Sequence, residues 1–259
     1  MWQPDGAGSR ARVGLLSAHL DQAPESEFWT MAPGGLSIHT TRVPLRVASE
    51  GGEITPRSVV DGIRAFSEPP LIDDAAELLV AVPLNVIVYG FTSSSYLLGA
   101  EGDRALKARL ERRTRGIPVV IPGLSSLLAL RAFGVRRLAL IDPPWFPPEL
   151  DEMGAQYFRS EGFEVVYHAP AAVRSGPGEV HPAQVYEWVR TYVPTAAEAV
   201  VIGGTGFRAI GAIQALEEDL ARPVVTANQV ALWEALQLAH VRAPVAGYGQ
   251  LFARELPRS

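Results

Sequence analysis

The stretch "VIVYGFTSSS" (86–95) sets four apolar residues, Val86 to Tyr89, ahead of Gly90, Phe91, Thr92 and three serines. An unbroken apolar run rich in β-branched residues, with no in–out alternation, reads as a strand covered on both faces, the habit of parallel sheets. In such sheets ligands sit beyond the carboxyl ends of the strands, so the hydroxyl-rich loop after Gly90 marks one side of a cleft. The hydroxyls of Thr92 and Ser93, with loop amides at a helix start, suit a carboxylate or a phosphate. The plainer reading is that these serines only end a strand and cap a helix.

Outward from this stretch, short β-branched runs alternate with helical patterns along the whole chain, the signature of an α/β protein. Strands are expected at 12–16, 36–43, 86–90, 118–122, 138–142, 163–168, 199–204 and 223–228. Helices are expected at 56–66, 72–81, 103–115, 123–133, 148–161, 182–193, 207–220 and 229–239. The two halves echo each other: "VGLLS" (13–17) with "LALID" (138–142), "YGFTSSS" (89–95) with "IGGTGF" (202–207), and "PVVIP" (118–122) with "PVVTAN" (223–228). A duplicated lobe accounts for this order. The expected division is a first lobe at 1–118, completed by 230–259, and a second at 119–229, with both Gly/Thr loops around one cleft.

Composition narrows the function. With 259 residues, 47% of them hydrophobic, the chain can bury real cores. A net charge of −5 speaks against a nucleic-acid partner, and Arg112, Arg113 and Arg115 read as the solvated end of a helix. No run approaches the roughly 18–20 apolar residues of a membrane span, and "MWQPDGAGSRAR" (1–12) reads as a loose start without a signal peptide's apolar core. There is no cysteine, so disulfides, thiolate metal sites and thiol nucleophiles are absent. His19, His39, His168, His181 and His240 lack metal-ligand spacing. The expectation is a cytoplasmic protein with no metal and no cofactor. A homo-oligomer is compatible with its exposed Phe and Trp, but nothing fixes one.

Three further loops carry polar or aromatic groups. "VVIGGTGFRAIG" (200–211) has the start of a dinucleotide fingerprint, but Ala209 stands where its third glycine belongs and Asn228 replaces the ribose-binding acid. Ser17, His19 and Asp21 lie just past the first strand, where His19 and Asp21 can form an acid–base pair or simply be surface polarity. Glu25 and Glu27, before Phe28 and Trp29, look like a solvated first helical turn, and Arg42 is either an ion-pair partner or a carboxylate anchor. In "LIDPPWFPPEL" (140–150), Trp145 and Phe146 either wall an apolar pocket or pack between lobes.

With these loops in view, the chain resembles the aspartate/glutamate racemase superfamily, in the branch of maleate cis-trans isomerases, arylmalonate decarboxylases and the related ectoine-utilisation protein. The likeness is carried by "EFWTMAPGGLSIHTTRVPL" (27–45), "YGFTSSSYLLG" (89–99), "VIGGTGFRAI" (201–210), "RPVVTANQVALWEAL" (222–236) and "GYGQLF" (247–252) in that order. The resemblance implies two pseudo-symmetric α/β lobes, each with a mainly parallel sheet flanked by helices, and an active site in the cleft between them. It implies carboxylate binding by Thr92 and Ser93, opposite Gly204, Thr205 and Gly206. The family's two catalytic cysteines fall at Phe91 and Gly204, so both thiols are gone. Where the isomerases have an asparagine, Asp21 stands, and their second-lobe tyrosine has only Trp145 or Phe146 nearby.

The expectation is therefore a cofactor-independent enzyme on a small carboxylic acid, with decarboxylation of a malonate-like substrate fitting best because it needs no base to start. His19 and Asp21 are the candidate catalytic groups. Ser17, Phe91, Thr92, Ser93, Trp145, Gly204, Thr205 and Gly206 are the candidate binding residues. Isomerisation or racemisation with His19 and Asp21 in place of thiols, and carboxylate binding without catalysis, are the alternatives.

Overall fold

The computed structural model describes residues 6–47, 55–173 and 178–257, so residues 1–5 of the expected loose start lie outside it. The first sheet contains β1 (Ala11–Ala18), β2 (Leu36–Val43), β3 (Val86–Gly90) and β4 (Val119–Val120) in the order β2-β1-β3-β4. The second contains β5 (Arg137–Asp142), β6 (Glu164–Pro170), β7 (Ala199–Ile202) and β8 (Val224–Thr226) in the matching order β6-β5-β7-β8. Every pairing is parallel. The expected fold class stands: two pseudo-symmetric lobes, with the echoed segments at equivalent strands. All five residues of β3 are buried, as the unbroken apolar run requires.

Nine α-helices are found among the described residues. They are α1 (Ala23–Met31), α2 (Pro56–Ser67), α3 (Leu71–Leu79), α4 (Ser93–Arg113), α5 (Pro122–Phe133), α6 (Pro148–Ser160), α7 (Pro182–Tyr192), α8 (Ile213–Leu220) and α9 (Ala227–Leu238). Their starts follow local chemistry: α2, α5, α6 and α7 begin at prolines, whose missing N–H costs nothing there. Thr226 and Gln229 form a capping box at α9. None of the described helices is long and apolar enough to cross a membrane.

Three boundaries differ from expectation and all matter to the cleft. Helix α4 begins ten residues before 103, at Ser93, because the chain turns helical at once after Gly90 and continues through a non-helical Gly99 (φ 69°). The helix expected from 207 begins only at Ile213, after a 3-10 turn at Ile210–Ala212. The GGTG loop therefore does not open a helix, as a dinucleotide site requires. Val119 and Val120 pair with Ile87 and Val88, so the sheets change between Val120 and Arg137, somewhat beyond 118/119. Helix α9 packs on α5, β3 and β4 as well as on β8, and so bridges the lobes.

Candidate active site

The parallel strands of both sheets end on one cavity of about 90 Å³. The exit of β1 brings Leu20 and Asp21, and that of β3 brings Phe91 and Ser93. The exit of β5 adds Pro143, Trp145 and Phe146, and that of β7 adds Gly204, Thr205 and Gly206. Leu45, Val47, Val59 and Ile63 close the remaining side. Most of the expected binding residues thus meet here. Asp21 is the sole titratable group among the described lining residues, and the walls around it are mainly apolar.

Arg42 fixes the approach of Asp21. Its guanidinium donates to the Asp21 carbonyl at 2.7 Å while pairing with Glu25 at 2.7 Å, so Arg42 is a structural ion-pair partner and does not line the cavity. The carboxylate lies against the second-lobe loop, where a Cβ on Gly206 would come within 2.8 Å of Asp21 Oδ1. Burial pushes the Asp21 carboxyl up to about 6, against the opposing pull of Arg42.

The expected pairing of His19 with Asp21 is not assembled. The His19 side chain is exposed, its Nδ1 accepts the Leu45 amide at 3.0 Å, and no hydrogen bond joins it to Asp21. Ser17 is also set back. It is fully buried beside Gly90 in the sheet, with its hydroxyl toward the Ala18 carbonyl at 3.4 Å.

The start of α4 borders the cavity through Ser93, the first residue of the helix. The Ser95 amide donates to the Thr92 carbonyl at 2.9 Å. Thr92 occupies the N-cap position with helical backbone angles, so its side chain makes no capping bond. Its Oγ1 is buried without any hydrogen-bond partner, a costly state, and Thr92 is not among the residues that line the cavity. Phe91 leans on Phe66, ring centroids 4.3 Å apart, and both are buried. Trp145 meets Phe207 edge-on at 6.0 Å, so it walls the cavity and packs within the second lobe at once.

The second loop is built differently. Gly204 has φ +77°, and a Cβ there would collide with the Pro143 ring. Thr205 donates its hydroxyl proton across the lobes to the Gly90 carbonyl at 3.1 Å, so that proton is already committed.

Glu27 corrects the expectation of a solvated turn. It is 5% exposed and accepts from the amides of Ala209 (2.9 Å) and Ile210 (3.2 Å) and from Asn228 Nδ2 (2.7 Å). Asn228 also donates to the Thr205 carbonyl at 2.9 Å, so the pair tethers the second-lobe loop to α1. Burial pushes Glu27 up to about 7 despite these donors. A signal was present in the helical spacing of Pro24, Glu27, Phe28 and Met31, which puts Glu27 on the buried face.

The family model described as arylmalonate decarboxylase matches residues 70–252. The chain belongs to that family. The arylmalonate decarboxylase of Bordetella bronchiseptica is 28% identical over 211 residues, 78% of this chain and 82% of that one. Among solved structures, the maleate isomerase Iso from Pseudomonas putida S16 superposes with a TM-score of 0.81 at 20% identity, covering 93% of this chain and 98% of that one. An arylmalonate decarboxylase gives 0.71 at 22% identity over 93% and 99%. A Nocardia farcinica maleate cis-trans isomerase holding a covalently bound succinylcysteine intermediate gives 0.79 at 19% over 93% and 98%. This family member has no cysteine with which to form such an adduct.

Proposed function

We propose that the cavity decarboxylates a small malonate-like acid and that Asp21 supplies the proton. The observation that carries this reading is the sole described titratable group of a largely apolar cavity, which it lines together with Ser93 of α4, and whose burial keeps its proton up to about pH 6. One carboxylate of the substrate accepts hydrogen bonds from Ser93, Thr92 and the first amides of α4. The other lies against the apolar wall and leaves as carbon dioxide. The bond to the α-carbon breaks, and its electron pair moves into the retained carboxylate, where the same donors hold the enediolate. Asp21 then protonates the α-carbon and regains a proton from solvent.

The cavity also favours a particular substrate class. About 90 Å³ is less than the ~150 Å³ of a cavity known to take benzene, and Phe91 backed by Phe66 takes up the space beside the anion donors. The fitting substituent is a short alkyl group, and an aryl ring is excluded until Phe91 is trimmed. Isomerisation through paired thiols is disfavoured, because Phe91 fills one position and Pro143 blocks the other. The test is proton NMR in D₂O with methylmalonate, phenylmalonate and maleate, on the native chain and on Phe91→Gly. Deuterium-labelled propionate from methylmalonate alone is expected from the native chain, with phenylmalonate becoming a substrate in the variant. Geometric change of maleate would replace this reading with isomerisation. Line broadening without turnover would replace it with carboxylate binding.

A further inference from the structure

Behind the second-lobe turn lies a polar cluster that this chemistry does not use. Asp142, the last residue of β5, has no exposed surface, and its Oδ1 accepts the Tyr96 hydroxyl of α4 at 3.0 Å. Its Oδ2 meets no donor, and neither does Oδ1 of Asp151 on α6. The two carboxyl groups lie within hydrogen-bond reach of each other. Asp151 Oδ2 is occupied by His168 Nδ1 of β6 at 2.6 Å, and the other ring nitrogen faces Glu152 at 3.3 Å. Tyr157 of α6 packs on Tyr96 and donates to Asp103 at 2.8 Å. Among the described residues no lysine or arginine is bonded to Asp142.

Two buried carboxylate oxygens set together without a donor repel, whereas one proton between them satisfies both. We propose that Asp142 is a positioning residue, kept as a neutral carboxylic acid that donates its proton to Asp151, and that this shared proton pins the Gly203–Gly204 turn against α4. The pinning follows from close approach. A Cβ on Gly203 would collide with Asp142 Oδ1 and lie 2.5 Å from the Tyr96 hydroxyl, and the Gly203 amide donates to the Ile141 carbonyl at 2.8 Å. Pro143, the next residue, is the one that blocks Gly204. Burial first, and the neighbouring Asp151 second, push the Asp142 carboxyl well above its ordinary range. The inference does not depend on which acid the cavity takes.

The sign of the pH dependence is fixed. An unfolded aspartate releases its proton near about pH 3.9, whereas folded Asp142 keeps it to higher pH. Stability from this proton is therefore complete below that value and is lost as pH rises toward the folded titration. Asp142→Asn mimics the neutral acid, since its amide donates to Asp151 and its carbonyl accepts from Tyr96. The experiment is denaturant unfolding of both chains across a pH series, with infrared spectra of the native chain and amide exchange at Gly203 and Gly204. The folding constant of Asp142→Asn relative to native is expected to rise about tenfold per pH unit above about pH 4. The native spectrum should show a neutral carboxylic C=O band that the variant lacks. Exchange should quicken in Asp142→Ala and not in Asp142→Asn. Parallel stability curves, or a native spectrum without that band, overturn the shared proton. Equal exchange in the two variants overturns the pinning.

Discussion

The loops after β3 and β7 occupy equivalent places in the two lobes and do opposite things. After β3 the chain enters α4 within three residues, with Ser93 on the cavity wall and the Thr92 hydroxyl buried without a partner. After β7 it runs through Gly203 to Gly206 and delays its helix to Ile213, with Thr205 bonded to Gly90 and the following amides bonded to Glu27. In the proposed function one loop is the anion cradle and the other a fixed wall. Their side-chain room also differs: Phe91 places a ring against Phe66, whereas the Gly204 backbone has no room for any side chain beside Pro143. The frame is pseudo-symmetric, and the chemistry proposed within it is one-sided.

The largest effect is expected at the cradle. Losing one such donor costs about 10²–10³ in rate, so the double variant Thr92→Ala/Ser93→Ala should lose at least about 10³-fold in kcat on methylmalonate. Its circular dichroism should stay native, because Thr92 Oγ1 supports no bond in the unliganded protein. Rates within tenfold of native would erase the distinction between cradle and wall.

Asp21→Asn comes next, with a loss of about 10²–10⁴-fold, the usual range for a positioned general acid. Because the donor must carry its proton, the native rate should fall as pH rises through about 6. The stability of the variant moves the other way. An acid raised from 3.8 to about 6 loses up to about 3 kcal/mol across that window, so Asp21→Asn should be the more stable protein at neutral pH. A pH-independent rate would move the proton donor away from Asp21.

Gly204→Cys probes the wall directly. A side chain at φ +77° against Pro143 should cost about 2–4 kcal/mol, and the thiol should bring no isomerisation of maleate. Denaturant melts and the maleate assay read the two halves of that expectation.

Much of this frame was legible in the sequence, and its inner contacts were not. The strands stood out because parallel strands buried on both faces read as unbroken apolar runs, as Val86 to Tyr89 do. Thr92, Ser93 and Gly204 to Gly206 were legible as loop residues at strand exits. The roles of Glu27 and Asp142 were not, even though helical spacing marks Glu27 as facing inward. What a buried acid bonds depends on donors far away in sequence, Ala209, Ile210 and Asn228 for one and Tyr96 for the other. His19 misled for the converse reason. Its neighbour in sequence was Asp21, but the β1 exit turns its ring outward to the Leu45 amide.

The smallest effect is expected at Thr205. Its hydroxyl lines the cavity as Ser93 does, and by residue type alone it would rank as a second anion donor. Its proton is spent on the Gly90 carbonyl, a bond that joins the two loops. Thr205→Val keeps the branched shape and removes that bond, so the cost should be about 1 kcal/mol in stability. Carboxylate affinity, measured with propionate by NMR titration, should stay within about twofold of native if the hydroxyl serves the seam alone. A tenfold weaker carboxylate would mean that Thr205 turns its proton to the ligand on binding. The second loop would then be half of the cradle, and the one-sided reading of the site would give way to a symmetric one.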